Sequence, residues 1–244
     1  MKRNCITAIA GVMLTLASCG QDAQLDAYYD GVVEDMLYDL PATYSGADIE
    51  YSYVADNALY DGTLRSLVVA LNAGCSASDL EIMGFSPEYH TIMDANGNNG
   101  LSNIGYAMED INGDGNAELL LGDIDAGVIY DIYTLVNEEP KLVASGNSKD
   151  KYYLLHNSSI CKDYSGGALE NGWTVYTLSN TADLNLQYGY KYDGYQDEDK
   201  PWFKTDAGGK WVSTTEEEFN EALDKKLGDI AYIDFKPLSS WNEG

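Results

Sequence analysis

YAMEDINGDGNAELLLGDIDAGVIYDIYTLV, Tyr106–Val136, is the stretch from which the rest of the chain is read. Its apolar pieces, Tyr106–Ile111, Glu118–Ile124 and Gly127–Val136, are short and rich in Tyr, Val, Ile and Leu, with Asn, Asp and Gly between them. That is the pattern of strands separated by turns. Downstream, KLVAS (Lys141–Ser145), YYLLHN (Tyr152–Asn157), WTVYTLS (Trp173–Ser179) and LNLQYGYKY (Leu184–Tyr192) continue it. Most joints are a few residues long, which suits hairpins and leaves no room for parallel crossovers. The expectation is an antiparallel meander.

Helical periodicity lies on either side of this region. Leu25, Tyr28, Tyr29, Val32, Val33, Met36, Leu37 and Leu40 recur at steps of three and four until Pro41 stops them. Leu64, Leu67, Val68 and Leu71 predict a second helix over Leu59–Ala73, with Gly74 placed to end it. A third is predicted at Thr215–Leu227, where Thr214 and Glu217 have capping-box spacing, followed by AYIDF (Ala231–Phe235) as an edge strand. The fold class expected is therefore α+β: N-terminal helices packed on an antiparallel meander, then a C-terminal helix and a final strand.

The N-terminus points to export. Lys2 and Arg3 precede an apolar run, Cys5–Ala17, that is shorter than the roughly 18 to 20 residues a membrane span needs. Leu16-Ala17-Ser18-Cys19 looks like a bacterial lipobox, which makes 1–18 a signal peptide and Cys19 the lipidated residue. Residues 19–244 then form a single domain, with 19–24 as a tether to the plasma or outer membrane, facing outside the cytoplasm. Several acyl chains, at about 0.8 kcal/mol per buried methylene, suffice for stable anchoring.

Composition narrows the partners. With 40 acidic and 14 basic residues the net charge is −26, and losing Lys2 and Arg3 takes it to near −28. Such a surface repels nucleic acid and attracts divalent cations. Cys75 and Cys161 are the cysteines left in the exported body. An oxidising compartment permits their pairing; the alternative is two buried thiols.

Asp110-Ile-Asn-Gly-Asp-Gly-Asn-Ala-Glu118, between two predicted strands, offers oxygens at alternate positions. Calcium takes about six to eight oxygen ligands, and a short loop supplies them when alternate side chains turn inward and Gly allows a sharp bend. Asp110, Asn112 and Asp114 are the alternate donors, Asn116 offers its carbonyl, and Glu118 stands at the ninth position. An EF-hand would need a bidentate Glu at its twelfth position, where this chain has Leu121. The competing reading is a polar hairpin turn, because Asn-Gly and Asp-Gly are also strong turn formers.

The motif DINGDGNAELLLG resembles the calcium loop of FG-GAP and integrin-type propeller repeats, with Glu118 in place of the final Asp. The resemblance implies a bound Ca²⁺ but covers only about a dozen residues. A propeller needs at least about four blades, and one such loop is present. More widely, the lipobox, the single DINGDG loop, the YDIYTLV strand, the SGGA turn at Ser165–Ala168 and the C-terminal helix resemble small secreted bacterial lipoproteins. That likeness implies architecture rather than activity.

The rest of the sequence supplies little catalytic chemistry. Asp94, Asn96 and Asn98 in DANGNNG imitate the loop with one carboxylate and read as a mobile polar segment. His90 and His156 are the only histidines and stand far apart, which gives zinc almost nothing to use. Trp173, Trp202 and Trp211 read first as core or cross-strand packing. The function expected is a calcium-stabilised, lipid-anchored extracytoplasmic module that binds a protein or glycan; the alternative is a carboxylate-dependent polysaccharide hydrolase.

Overall fold

The computed structural model describes residues 58–241. The helix expected at Leu25–Leu40, the signal segment and Cys19 lie outside them. Among the described residues the sheet is preceded by α1 (Asp61–Asn72), α2 (Ala77–Ile82), α3 (Glu88–Asn96) and, after a 3-10 turn, the short α4 (Gly100–Asn103). Leu64, Leu67 and Leu71 give α1 one buried stripe, and the chain reverses at Gly74 with φ of +70°. Ser76 caps α2 reciprocally: its hydroxyl accepts from the Asp79 amide while the Asp79 carboxylate accepts from the Ser76 amide.

The strands are β1 (Ile104–Glu109), β2 (Glu118–Asp123), β3 (Val128–Val136), β4 (Glu139–Ser145), β5 (Asp150–Leu154), β6 (Ile160–Gly167), β7 (Glu170–Leu178), β8 (Leu184–Asp193), β9 (Trp202–Asp206), β10 (Val212–Ser213) and β11 (Lys236–Pro237). They form one antiparallel sheet in the order β10-β9-β8-β7-β6-β5-β3-β2-β1-β11, with β4 on β3. β3 is shared along its length. Its start meets β5 through Ile129 and Tyr152, and its end, from Asp131 to Val136, pairs with β4. Asn137 and Glu138 close that second hairpin with φ of 56° and 65°, the primed-turn geometry that matches strand twist.

Packing explains why ELLLG shows no alternation. Leu119 and Leu121 pack with Leu64, Leu67, Leu80 and Tyr89 of the leading helices, while Leu120 packs with Ile129, Ile132 and Tyr152 on the reverse face. A strand covered on both sides reads as a continuous apolar run. Each such side chain contributes about 1.5–3 kcal/mol on burial. On the far half of the sheet α5 (Glu216–Asp229) lies over β6–β8, with Phe219 against Trp173 at 5.1 Å and Tyr190 at 6.5 Å.

The α+β expectation is corrected. Of the described residues 39% are strand and 28% helix, and an 11-stranded antiparallel sheet dominates the fold. Strands β6 and β9 lie outside the expected set for a physical reason, and β10 is only the two-residue pair Val212–Ser213. In β6 the charges of Lys162 and Asp163 are neutralised by Asp150 and by Lys226 of α5, and in β9 Lys204 is neutralised by Glu218. Strand positions carry charge there, and the apolar alternation disappears.

DANGNNG is helical: Asp94 and Asn96 belong to α3, and residues 97–99 form the 3-10 turn. Helix α5 is capped by Thr215, whose side chain accepts from the Glu218 amide, one residue later than the Thr214 and Glu217 expectation. AYIDF is not a strand; the final pairing is made by Lys236 and Pro237 with β1. Cys75 and Cys161 do not form a disulfide with each other; Cys75 lies in the cluster under α1 and Cys161 in the cluster under α5.

Candidate metal centre

The β1–β2 hairpin carries the loop. Glu109 and Glu118 are opposite each other at its base, and residues 110–117 bulge beyond the ladder. Gly113 and Gly115 adopt φ of 74° and 90°, the left-handed region where a side chain would be strained, so both turns need Gly.

The loop is folded around its own acids. Asp110 accepts from the Gly113 amide at 2.8 Å and from the Gly115 amide at 3.1 Å, one with each carboxylate oxygen. The Asn112 side-chain oxygen accepts from the Asp114 amide at 2.9 Å. Asp114 Oδ1 accepts from the Asn116 amide at 2.8 Å and from its Nδ2 at 3.1 Å. Each of these is an acceptor satisfying a neighbouring N–H that a bend would otherwise leave unpaired.

Glu118 stands apart. It is fully buried, although a carboxylate is among the side chains least often found there. Its Oε2 accepts from the Ile111 amide at 2.7 Å; its Oε1 accepts from Asn112 Nδ2 at 3.1 Å and from the Thr134 hydroxyl at 2.8 Å. Burial pushes its pKa up, and the bonds from Ile111 and Thr134 offset part of that rise. Glu118 therefore ties the loop to β3.

The five residues singled out in the sequence are thus brought into one loop, with Asp110, Asp114 and Asn116 exposed, Asn112 half-buried and Glu118 buried. Their donor chemistry fits a hard cation. The oxygens on offer are the donor type a hard cation takes; each Asp110 carboxylate oxygen accepts one N–H and keeps a second lone pair, whereas Asp114 Oδ1 and Glu118 Oε1 already accept two bonds each. Among the described residues no three His, Cys, Asp or Glu side chains converge closely enough to hold an ion. In this conformation the carboxylates serve the loop's amides, and Glu118 serves the hairpin.

Sequence reasoning missed a second acid. Asp131, in the middle of β3, is fully buried. It accepts from the Ser86 amide at 3.0 Å and the Ser145 hydroxyl at 2.6 Å, and the buried Tyr89 hydroxyl lies near it without completing a hydrogen bond. Burial raises its pKa to about 7, against the lowering effect of Ser145 and Ser86. The available signal was an Asp within the apolar run VIYDIY. His90 has Asp94 at 3.4 Å on the same helix, and His156 is exposed elsewhere.

No protein-family model matches this chain, and neither the curated proteins nor the solved structures contain a significant match.

Proposed function

We propose that the chain is a calcium-stabilised, lipid-anchored module outside the cytoplasm that binds a protein or glycan. The observation that supports this reading best is the β1–β2 loop. Asp110, Asn112 and Asp114 supply side-chain oxygens at alternate positions of a bend built on two left-handed glycines, and the buried Glu118 ties its base to the sheet. Asp110, Asn112, Asp114, Glu118 and the Asn116 carbonyl would hold the ion. When bound, Ca²⁺ neutralises carboxylates crowded on a chain of net charge −26 and links the loop to the strand that follows. The loop's own hydrogen bonds keep it bent, which lowers the ordering needed on binding.

Calcium titration of the protein and two variants tests the metal assignment. Asp114→Ala should abolish calorimetrically detected binding, while Asp94→Ala, on the exposed side of α3, should leave it unchanged. Binding by Asp114→Ala as tight as that of the parent would refute the assignment. Magnesium should substitute poorly, because it gives up its waters reluctantly.

The anchor is tested separately. Cys19→Ala should release the protein or leave an unprocessed precursor when cells are fractionated, since the acyl chains supply the membrane affinity. Normal processing and unchanged membrane association would contradict it.

A further inference from the structure

A cleft of about 300 Å³ opens where α5 crosses β5, β6 and β7. Strand register places Lys151, Asp163 and Trp173 side by side across these strands, on the face that α5 covers. Phe219, Leu223 and Lys226 of α5 line the other wall. Asp163 and Lys226 form an internal pair: the Lys226 Nζ donates to both carboxylate oxygens, at 2.6 and 2.7 Å, and Lys226 is only 5% exposed. That pair uses up the one carboxylate lining the cleft.

Lys149 and Lys151 also line the cleft, and neither has an ion-pair partner among the described residues. In a protein with 40 acidic and 14 basic residues, two uncompensated cations at one concave site form a local field of opposite sign. Ser148, Ser165 and Asn171 add neutral hydrogen-bonding groups, and Phe219, Leu223 and Trp173 give an apolar wall. The Trp173 indole N–H is buried without an acceptor, an unused donor beneath the same cleft.

We propose that this cleft binds an acidic sugar, with Lys149 and Lys151 holding the carboxylate of a uronate ring. The inference deepens the glycan-binding arm of the function proposed above and rests on it. Cations for the carboxylate, hydroxyl and amide groups for ring hydroxyls, and an apolar wall for the C–H face are the three surfaces such a ring presents. The volume is near the lower end of ligand cavities and suits one ring. An extended peptide fits less well, because β5, β6 and β7 are paired on both sides and offer no free edge for an added strand.

Titrating the purified full chain with glucuronate, a short oligouronide, glucose, inorganic phosphate and an acidic peptide tests the proposal. Calorimetry gives the affinities, and the Trp173 indole N–H resonance, assigned through Trp173→Phe, reports the site. Uronate should saturate with Kd at or below about 1 mM, with glucose at least about tenfold weaker. Equal affinity for glucuronate and the oligouronide identifies a single ring as the ligand; tighter oligouronide binding identifies the end of a glycan. A Lys149→Gln/Lys151→Gln variant should lose at least about tenfold in uronate affinity with an unchanged melting temperature, and the corresponding double Arg variant should retain binding. The proposal is overturned by glucose binding as well as uronate, by phosphate or peptide binding where uronate does not, by no saturation with uronate, or by undiminished binding in the double Gln variant. The calcium loop is separated from this cleft by β3, so a failed uronate titration leaves the calcium assignment standing, and the reverse also holds.

Discussion

Glu118→Ala is expected to lower unfolding stability by about 3–5 kcal/mol, measured by denaturant titration in EDTA, while Glu118→Gln lowers it by only about 1–2 kcal/mol. The Ala variant removes the acceptor of the Ile111 amide, the Asn112 side chain and the Thr134 hydroxyl at once, in a site closed to water. A buried donor left without a partner costs about 1–3 kcal/mol, and the half-buried Asn112 recovers part of its loss from solvent. Gln keeps an oxygen for Ile111 and presents an amide to the Thr134 hydroxyl, which can turn to accept it. The two variants differ most in whether the hairpin stays joined to β3. If both cost less than about 0.5 kcal/mol, Glu118 does not hold the loop.

Asp131 carries the second large effect, and its direction is set by burial. Its carboxyl is raised to about 7 in the folded protein, above its value in an unfolded chain. The folded state therefore holds more protons between about pH 4 and 7, so the contribution of this group to stability is full at low pH and is lost as pH rises through about 7. Across that window the difference is about 4 kcal/mol. Asp131→Asn keeps an oxygen for the Ser86 amide and can donate to the Ser145 oxygen, without a charge. Unfolding free energies at pH 5 and pH 8 should thus show the parent losing about 2–3 kcal/mol relative to the variant, because part of the window lies below pH 5. Comparing the two removes the trend of Glu118, which burial also raises; Asp193 and Glu218, lowered by Lys191 and Lys204, change their contribution only at more acid pH. Parallel pH profiles would contradict this account.

The hairpin around the loop was legible because Gly, Asn and Asp mark a bend and Leu119–Leu121 mark a buried strand. Helix α1 was legible for the same kind of reason, a stripe at helical spacing ending at Gly74. What stayed hidden depends on partners distant in sequence. The strand character of Lys162, Asp163 and Lys204 requires Asp150, Lys226 and Glu218, and no local pattern announces those pairs. The polar composition of DANGNNG predicts a loop, yet Tyr89 and Ile92, anchored in the core, continue α3 to Asn96. The acids of the loop were found by spacing alone, but spacing could not show that Glu118 faces inward to Thr134 while Asp110 and Asp114 remain exposed.

Thermal unfolding in EDTA and in millimolar calcium tests the calcium claim most directly. Extracellular calcium modules bind at about 10⁻⁴ to 10⁻³ M. At free calcium ~10-fold above Kd, linkage adds about 1.4 kcal/mol to the folded state. At roughly 2 to 4 °C per kcal/mol, the melting temperature should rise by about 3 to 6 °C in calcium and return on chelation. Coincident melting curves, with no binding detected by calorimetry, would mean that Asp110–Glu118 is a hydrogen-bonded turn and that the calcium reading is wrong.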